Sequence, residues 1–494
     1  MRIKYTALLV SIIVSVRLFS STGEITDVSA KSIPMQGITD SFVKNNRCLY
    51  NPATAVSIKD NFGRTLILHG LNTAGGAKHS PDHQPWIKEK DIAREDSEFC
   101  FNAVRYLIFW GAIEPEKDVY DEAYLQQVKE RVEWYTSRHM YVILDMHQDI
   151  YGYGVGGNGA PVWASTLTPV KNLISDKWAW WLQNLEPKVK RSYVEFFKYK
   201  KKKELQLHYI AAWKKVIDIF KNNPYVIGYD LMNEPHGGNL TKTLFGFFEK
   251  RWLTRFYKRL IPAIRSVDTE RYIFFEPRSF GVNFGMKSYL KKVEDANTAN
   301  PKLVYAPHCY PRFVDVGKAY NKKAKKELSK WFRKRRDEIE MHQTPALLGE
   351  FGLSPGRKDY DLFLYDLFRK TEEAHMSWTY WSGDPGGWGP LNADLTPSPI
   401  LDKLLRIYPK ATAGILNNYS FNETTREFVM NYTHLPAIAQ PTEIGIPRYL
   451  FPNGYDVIVE GTTQYTLQTN PVNNTVSVLV QDGQVDITVT VKPR

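Results

Sequence analysis

The sequence predicts an α/β protein, a (β/α)8 TIM barrel followed by a C-terminal antiparallel β-sandwich domain. Eight short apolar segments, most of them rich in β-forming residues, recur between Arg64 and Gly383, and many are separated by amphipathic helical segments. Polar residues gather at the carboxyl ends of these segments. After Ile400 the chain becomes β-like, with alternating apolar and polar residues and many turn signals. A doubly wound open sheet is the alternative fold, but it rarely contains eight such units.

The N-terminal residues have the pattern of a secretory signal peptide. Arg2 and Lys4 precede an apolar stretch from Thr6 to Val16, and small serines follow it. Such a stretch is too short to cross a bilayer as a helix. We therefore expect residues 1–22 to be a signal peptide and the protein to be secreted, or held in a lysosomal or digestive compartment.

Sequons and cysteines agree with this expectation. Five N-x-[ST] sequons predict a glycoprotein, and they begin at Asn239, Asn418, Asn422, Asn431 and Asn473. The three cysteines are Cys48, Cys100 and Cys309, which is too few for a disulfide scaffold, and they lack metal-ligand spacing. A Cys48–Cys100 bridge with Cys309 free is one arrangement that the sequence allows.

The predicted barrel spans residues 23–410. Its eight strands are Arg64–Asn72, Asn102–Trp110, Tyr141–His147, Tyr225–Glu234, Tyr272–Pro277, Lys302–Tyr310, Pro345–Gly352 and Ser377–Gly383. Apolar residues at three- and four-residue spacing predict helices at His208–Asn223, Phe248–Ile264 and Tyr360–Glu373. Because a (β/α)8 barrel carries its active site at the carboxyl ends of its strands, the polar residues there indicate one shared pocket.

Two segments interrupt or end this repeat. The insertion Trp178–Lys203 mixes aromatic residues with Lys and Arg, which predicts either a helix pair covering the barrel rim or a surface at the level of lipid headgroups. Ser398–Lys410 predicts a last helix. Residues 411–494 form the predicted sandwich domain, and DVIVEG, TVSVLVQ and DITVTV are among its strands. This domain contains no cluster of titratable residues that suggests catalysis, so we expect it to pack against the barrel.

The charge of the chain is basic, with a formal net charge of +12. It is spread out, although basic runs occur at Lys198–Lys203 and Lys322–Arg336. Such runs indicate a solvated face, or attraction to anionic lipid or acidic glycans and hence peripheral contact with a membrane. No nucleic-acid motif accompanies the charge, so no nucleic-acid partner is expected.

Glu234 and Glu350 are the candidate catalytic residues. Each ends a predicted strand beside turn-forming residues. Two carboxyl groups in one pocket suit hydrolysis of a glycosidic bond, in which one protonates the leaving oxygen and the other attacks the anomeric carbon. The alternative for YDLMNEPHGG is a turn without a catalytic role. Neighbouring side chains on a regular strand face opposite ways, so we expect the strand to break at Asn233–Glu234, before Pro235.

Other polar residues at the strand ends support this pair. Arg105 is a candidate for keeping the nucleophile ionised, whereas His147, His308 and Tyr310 can donate hydrogen bonds to sugar hydroxyls or to the nucleophile. In His308–Tyr310, alternation directs the two outer side chains to one face and Cys309 into the barrel wall. Trp381 is either an apolar platform for a pyranose ring or a core residue.

Several motifs occur in order along the chain. They are GLNTAGGAKHSP at Gly70–Pro81, DMHQDIYG at Asp145–Gly152, GAPVWA at Gly159–Ala164, NEPHGG at Asn233–Gly238 and the CYP that ends Ala306–Pro311. Together with Glu350 in GEFG, they resemble the endoglycoceramidase and glycosphingolipid glycosidase group of glycoside hydrolase family 5. The resemblance spans Leu66 to Trp381 and the appended β-domain.

The resemblance implies a role for each matching residue. Glu234 would be the general acid/base, Glu350 the nucleophile, and Asn233 the ligand of the sugar 2-hydroxyl. The first sugar would be contacted by Lys78, His147 and Asp149, with Tyr310 and Trp381 lining the same subsite.

The resemblance also implies the reaction. The enzyme would hydrolyse, with retention, the β-glycosidic bond between the oligosaccharide and the ceramide of a ganglioside-type glycosphingolipid, with no cofactor and no metal. Two alternatives of the same fold are an exo-acting β-glucosidase on glucosylceramide or steryl glucoside, and a polysaccharide endoglucanase. A catalytically silent glycolipid-binding protein is a third reading, and the presence of both carboxylates argues against it.

Overall fold

The computed structural model describes residues 56–166, 180–200, 202–315 and 319–494. The predicted signal peptide and Cys48 lie outside these ranges, and so do Trp178 and Lys201 of the insertion. Cys100 and Cys309 are both buried. In the described part of the chain, no helix combines the length and the apolar character that a membrane span requires.

Nine strands precede the C-terminal sheets. They are β1 (Thr65–Leu66), β2 (His69–Asn72), β3 (Ala103–Ile108), β4 (Tyr141–Met146), β5 (Val226–Asp230), β6 (Tyr272–Phe275), β7 (Leu303–Tyr305), β8 (Leu347–Leu348) and β9 (Ser377–Tyr380). Strands β2 to β9 form one parallel sheet in the order β7-β6-β5-β4-β3-β2-β9-β8. A parallel bridge between Tyr305 and Ala346 joins its two edges and closes the ring. The predicted barrel is therefore confirmed, with all eight strands in the predicted order.

Twelve α-helices occur in the described residues. They are Glu89–Ser97, Trp110–Ile113, Glu122–Thr136, Pro187–Phe197, Lys203–Phe220, Leu240–Leu244, Thr254–Arg265, Ser279–Val282, Arg312–Asp315, Lys322–His342, Tyr360–Glu373 and Pro399–Leu404. A π-helical stretch, Phe248–Leu253, runs directly into Thr254–Arg265. The three helices predicted from apolar spacing are thus present. Short 3-10 turns lie at Gly75–Lys78, Tyr153–Val155, Val162–Ala164, Trp180–Leu185 and Arg448–Leu450.

The helix Lys203–Phe220 shows why these segments are helical. It buries Tyr209, Trp213 and Val216 at three- and four-residue spacing, which turns one apolar stripe toward the barrel. The side chains of Tyr209 and Trp213 both donate to the backbone oxygen of Leu231, just beyond β5. The helix layer therefore fixes the chain segment that leads to Glu234.

Eight further strands form the C-terminal antiparallel sheets. They are β10 (Tyr408–Thr412), β11 (Gly414–Phe421), β12 (Phe428–His434), β13 (Thr442–Gly445), β14 (Tyr455–Glu460), β15 (Tyr465–Asn470), β16 (Thr475–Val480) and β17 (Asp486–Pro493). One sheet has the order β11-β12-β17-β14, and the other has the order β1-β10-β13-β16-β15. Strand β12 alternates buried and half-buried residues along its length, as expected for a sheet with one face on a core.

Two sequence predictions were wrong in detail. The predicted strand Arg64–Asn72 is split, because the N–H of Leu68 donates to the Ser377 hydroxyl at 3.0 Å instead of continuing one ladder. Its first part, β1, pairs antiparallel with β10, and its second part enters the barrel as β2. The predicted helix Ser398–Lys410 ends at Leu404, because Pro409 disfavours helical backbone in the residue before it and Tyr408 already pairs with β13.

Candidate active site

The strand that leads to Glu234 breaks before it reaches the glutamate. Strand β5 ends at Asp230, and Glu234 has a backbone φ of 45°, in the left-handed region. The predicted break is confirmed, although it begins two residues earlier than expected, at Leu231. This turn directs Glu234 into the cavity while Asn233, its neighbour, also faces the centre of the barrel end.

Glu234 and Glu350 lie close together at the carboxyl end of the barrel. One carboxylate oxygen of each, together with one ring nitrogen of His308, lies within 4.8 Å of the others. Both glutamates line a cavity of about 430 Å³. The two carboxyl groups are thus near the separation of about 5–5.5 Å that retaining glycosidases use, and too close for the water that inverting enzymes place between theirs.

Arg105 of β3 holds Glu350 from beneath the cavity. Its side chain is fully buried, and Nη1 donates to Glu350 Oε1 at 3.0 Å and to Asn72 Oδ1 at 2.9 Å. Nη2 donates to Asn233 Oδ1 at 3.0 Å. This cation pairs with Glu350 and sits behind the cavity wall.

Arg105 also carries three further acidic partners. Its Nε and Nη2 atoms lie 2.9–3.0 Å from oxygens of Asp145, Asp230 and Glu276. One guanidinium therefore faces four carboxyl groups in a dry interior. Burial raises the pKa of Asp230 and of Glu276, so part of this cluster retains protons near neutral pH.

The residues His308 and Tyr310 follow β7 and contact both glutamates. The Tyr310 hydroxyl donates to Glu350 Oε2 at 3.0 Å, and His308 Nδ1 lies 3.0 Å from Glu234 Oε1 and 3.5 Å from Glu350 Oε2. Cys309 between them is buried, as the alternation predicted. Burial lowers the pKa of His308, but Glu276 and Glu350 outweigh that effect and raise it well above its usual range.

A second cluster forms the opposite wall of the cavity. Lys78 Nζ lies 2.5 Å from Asp149 Oδ2 and 4.0 Å from the centre of the Trp381 ring. The His147 ring stacks on Trp381 at 5.5 Å, and its Nε2 is 3.4 Å from Asp149. Burial alone would raise the pKa of Asp149, but Lys78 and His147 hold it well below its usual range. Asp149 is therefore ionised and can accept hydrogen bonds from sugar hydroxyls.

His147 is fixed from its other side by Asp145, whose carboxylate lies 2.7 Å from Nδ1. Burial and Lys78 act to lower the pKa of His147, but Asp145 and Asp149 outweigh them and raise it. The ring is fully buried and contacts the cavity through its neighbours Asp149 and Trp381.

The ten candidate residues from the sequence fall into two layers. Those that line the cavity are Lys78, Asp149, Glu234, Tyr310, Glu350 and Trp381. Those directly behind them are Arg105, His147, Asn233 and His308, each at most 1% exposed. Asn233 Nδ2 donates to the Gln148 backbone oxygen at 3.1 Å, so any bond to a sugar hydroxyl would have to share or replace that contact.

Sequence reasoning missed several residues of the site. Asn283 donates its amide to Glu234 Oε1 at 2.7 Å, and Glu276 Oε2 accepts the backbone N–H of Glu234 at 2.9 Å. The remaining cavity lining includes the aromatic side chains of Phe280, Phe284 and Trp388. Glu276 had a usable signal, because FEP at the end of β6 matches the NEP pattern after β5. The others lie in loops without a periodic pattern.

Two clusters of this site have the donor spacing of a cation site. In one, Glu234, His308 and Glu350 converge, and in the other, Asp145, Asp230 and Glu276 converge. The first cluster already receives hydrogen bonds from Asn283 and Tyr310, and Arg105 is bound to both clusters. The donor sets are therefore matched to protein cations and hydrogens, and no step below requires a metal.

The described part of the Trp178–Lys203 insertion packs onto the barrel. In the helix Pro187–Phe197, Tyr193, Phe196 and Phe197 are buried, and Phe197 meets Phe248 with ring centres 4.8 Å apart. Gln183 and Asn184 line the cavity beside it. This part of the insertion covers the rim, and the helix turns its aromatic side chains inward.

Comparison with known proteins places these features in a family. Residues 60–387 match the family described as Cellulase (glycosyl hydrolase family 5), and residues 406–491 match the glycoside hydrolase family 5 C-terminal domain. An endoglycoceramidase from Hydra vulgaris is 27% identical over 85% of this chain and 84% of its own length.

Two solved structures of endo-glycoceramidase II from Rhodococcus sp. are similar to the whole barrel and its appended domain. One is a complex with ganglioside GM3, with a TM-score of 0.83 and 34% identity over 89% of this chain and 100% of that one. The other is a lactosyl-enzyme intermediate, with a TM-score of 0.81 and 34% identity over the same shares.

Proposed function

We propose that this chain, which belongs to glycoside hydrolase family 5, is an endoglycoceramidase. It hydrolyses the β-glycosidic bond between the oligosaccharide and the ceramide of glycosphingolipids, and it retains the anomeric configuration. The observation that carries this proposal is the pair Glu234 and Glu350, whose oxygens lie within 4.8 Å of each other in one cavity. The similar structures of a ganglioside complex and of a lactosyl-enzyme intermediate support the same substrate and the same retaining route.

In the first step, Glu350 attacks the anomeric carbon. Arg105 and Tyr310 each direct a hydrogen at a different oxygen of this carboxylate, which orients it for attack. Glu234 gives its proton to the departing ceramide oxygen. The C–O bond to ceramide breaks as the C–O bond to Glu350 forms, so ceramide leaves as a neutral alcohol.

In the second step, water replaces ceramide. Glu234 now accepts a proton from the water, which attacks the anomeric carbon and releases Glu350 as a carboxylate. Asn283 and His308 both face Oε1 of Glu234, so the ionised form of the acid/base is stabilised when it must act as the base. Two inversions at the same carbon give net retention.

The opposite wall binds the sugar beside the scissile bond. We assign Lys78 and Asp149 to its hydroxyl groups, and the Trp381 ring to its apolar face. His147 orients this wall by stacking on Trp381. Phe280 and Phe284 also line the cavity and provide apolar surface suited to the start of the ceramide.

The substrate sits in a membrane, and we infer that a cationic-aromatic surface beside the cavity contacts it. This surface consists of Lys198, Lys242, Phe245, Phe247, Lys250, Arg251 and Trp252. Phe245 is 59% exposed, and Lys242 Nζ lies 5.4 Å from the Trp252 ring and 5.6 Å from the Phe247 ring. Aromatic rings with cations are the residue types that bind at the headgroup level of anionic bilayers.

Its position supports this assignment. The cationic-aromatic surface lies mostly in the chain segment that follows Glu234, and Gly246 packs against Tyr289 of the loop that also carries Phe280 and Phe284. Between residues 240 and 260 the sequence has one acidic residue, Glu249, and it is buried against Arg278. The charge of this face is therefore not neutralised by acidic neighbours in that segment.

We further infer that the protein is a secreted glycoprotein, on the basis of its N-terminal pattern and sequons. The side chains of Asn239, Asn418 and Asn422 are exposed. A protein of a lysosomal or digestive compartment would enter the same secretory pathway.

Turnover of three substrates, measured in parallel, tests the proposed specificity. Purified protein is incubated in parallel with a ganglioside, with glucosylceramide and with a soluble β-glucan, and the release of each product is followed over time. The endoglycoceramidase proposal predicts turnover of the ganglioside well above that of the other two. Preferential turnover of glucosylceramide would instead identify an exo-acting β-glucosidase, and preferential turnover of the glucan an endoglucanase.

A further inference from the structure

Glu276 is a buried carboxyl group that contacts the acid/base glutamate without lining the cavity. It follows the last residue of β6 and is 1% exposed. Its Oε2 accepts the backbone N–H of Glu234 at 2.9 Å, and its Oε1 lies 3.0 Å from Arg105 Nη2 and 3.3 Å from His308 Nε2. Glu276 therefore touches Glu234 directly through its backbone and indirectly through a histidine ring.

His308 lies between two carboxyl groups, one on each ring nitrogen. Nδ1 faces Glu234 Oε1 at 3.0 Å, whereas Nε2 faces Glu276 Oε1 at 3.3 Å. The ring is 1% exposed, so solvent does not compete for either nitrogen. The hydrogen that Nδ1 presents to Glu234 consequently depends on what Glu276 offers to Nε2.

We propose that Glu276 is a positioning residue for Glu234, which it controls through the hydrogen on His308 Nδ1 and through the backbone N–H of Glu234. The inference rests on the proposed function, because it concerns the residue that protonates the departing ceramide oxygen. Glu276 does not touch substrate. It determines how the acid/base is oriented and which hydrogen faces it.

The number of protons that Glu276 and His308 share explains the effect on His308. One proton lies between Glu276 Oε1 and His308 Nε2, whether the oxygen or the nitrogen carries it. The pair holds two protons when a protonated Glu276 faces a neutral ring or an ionised Glu276 faces a histidinium, and in both arrangements Nδ1 carries a hydrogen that faces Glu234 and favours its ionised form. Without Glu276, a neutral His308 can carry its single proton on Nε2 and present a bare Nδ1 to Glu234.

The backbone contact has a separate consequence. Glu234 adopts a left-handed φ of 45°, which is unusual for a residue with a side chain. Its N–H is bound to Glu276 Oε2 in this conformation. Glu276 thus helps to hold the backbone turn that aims the Glu234 side chain into the cavity.

Other charged and titratable groups face this pair from the neighbouring strands. They are Arg105 on β3, Asp145 on β4, Asp230 on β5, Tyr257 on the helix Thr254–Arg265, and Glu350 after β8. Only Glu276 among these carboxyl groups contacts both the backbone of Glu234 and the ring of His308. Asp230 shares the same arginine but contacts neither, which makes it the matched control.

The test compares Glu276→Gln with wild type on two substrates. One is a ganglioside, whose ceramide needs a proton to leave, and the other is an aryl lactoside with a nitrophenol leaving group that needs none. We expect kcat/KM for the ganglioside to fall roughly tenfold or more and kcat/KM for the aryl lactoside to stay within about threefold of wild type. Arg105 Nη2 donates to the Oε1 position, so we expect the amide oxygen of the variant to lie there and to accept a hydrogen from His308 Nε2. A neutral His308 then has no hydrogen on Nδ1, and the alkaline limb of the ganglioside kcat/KM profile should move upward by about one pH unit, because Glu234 loses the hydrogen that favours its ionised form.

Two further variants complete the design. Glu276→Asp keeps a carboxyl group and should return the alkaline limb part of the way to its wild-type position. Asp230→Asn removes a carboxyl group from the same arginine and should leave the alkaline limb in place, whatever its effect on rate. An equal loss on both substrates, or an unmoved limb in Glu276→Gln, would overturn the assignment.

If Glu276→Gln does not fold, the wild-type protein still tests the proposal. Nitrogen-15 spectra of histidine-labelled enzyme, with the His308 signals assigned by a His308→Gln variant, report which ring nitrogen carries hydrogen. We expect a protonated Nδ1 across the active pH range, and a bare Nδ1 would overturn the proposal. Failure of the wild type to hydrolyse either substrate would count against the proposed function instead.

Discussion

One carboxylate oxygen of Glu350 lies within 4.8 Å of one carboxylate oxygen of Glu234, across the mouth of the barrel. The distance fits attack by one carboxylate on a carbon whose leaving oxygen faces the other. Arg105 holds Glu350 from below, and His308 faces both glutamates.

Removing the nucleophile should abolish turnover and leave binding intact. Glu350→Gln keeps the size of the side chain but cannot attack the anomeric carbon, so we expect kcat on a ganglioside to fall by at least about 10³-fold. The free ganglioside glycan should still raise the unfolding temperature of the variant. The surface substitution Glu340→Gln, on the helix Lys322–His342, is the control and should retain wild-type kcat. Residual turnover within tenfold of wild type would exclude Glu350 as the nucleophile.

Removing the acid/base should give a different signature. Glu234→Gln cannot protonate ceramide, so turnover of the ganglioside should be lost, whereas an aryl lactoside with a nitrophenol leaving group should still glycosylate Glu350. Azide, which needs no general base, should then release the sugar as a β-glycosyl azide and restore turnover. The product is identified by proton NMR. An α-azide, or no effect of azide, would contradict the assigned roles.

The cationic-aromatic surface should determine binding to anionic membranes. Lys242→Glu combined with Arg251→Glu reverses two charges beside the cavity, and we expect binding to vesicles containing phosphatidylserine to weaken at least about tenfold. Lys323→Glu combined with Lys326→Glu reverses two exposed charges elsewhere and should have little effect. Cosedimentation with anionic and with neutral vesicles measures this. Negligible wild-type binding to both vesicle types would remove the membrane proposal.

Buried histidines should make the fold sensitive to acid. Burial, with a contribution from Lys292, lowers the pKa of His342 to about 3. The unfolded chain takes up this proton near pH 6.5, so the stabilisation is complete above pH 6.5 and is lost as the pH falls toward 3. At pH 4.5 this single site should cost about 3 kcal/mol of the free energy of unfolding relative to pH 7.5.

The variant His342→Gln removes this titration and keeps an acceptor for the Val293 N–H. The unfolding temperature of the variant minus that of wild type should therefore be about 3 °C higher at pH 4.5 than at pH 7.5. The exposed substitution His139→Gln serves as the control in the same calorimetric scans. If the difference in unfolding temperature between His342→Gln and wild type does not change with pH, this account of acid sensitivity is wrong.

The sequons should differ in occupancy. The Asn422 side chain is exposed in a turn, whereas Oδ1 of Asn473 is buried and Thr475 of the same sequon is 4% exposed. Expression in a glycosylating host followed by peptide mass spectrometry should find a glycan on Asn422 and none on Asn473. A folded, active protein that carries a glycan on Asn473 would contradict the burial of Asn473 Oδ1 and Thr475.

The barrel and half of its site could be predicted because the signals are local. Eight apolar segments end in polar residues, and closure of a parallel barrel brings all such ends together, so Glu234, Glu350 and Tyr310 met as expected. The break before Pro235 also follows from local geometry, because Asn233 and Glu234 could not otherwise share one pocket.

What the sequence did not reveal depends on contacts between distant segments. Asn283 reaches Glu234 only because the short helix Ser279–Val282 is interrupted at Phe280 and Gly281, and no periodic pattern marks that kink. The predicted strand Arg64–Asn72 is divided between a C-terminal sheet and the barrel sheet. This division depends on pairing of β1 with β10, which is more than 300 residues away. The inward packing of Tyr193 and Phe197 depends on partners such as His236 and Phe248, which come later in the chain.

The most direct test of the central claim is the product mixture from ganglioside GM3. Purified protein and ganglioside are incubated in detergent, and the products are separated and identified by mass spectrometry while the reaction is still incomplete. We predict the intact trisaccharide and free ceramide as the first and only products, with the trisaccharide released as its β anomer. Stepwise appearance of single sugars with a shortened glycolipid, or release of the α anomer, would contradict the account.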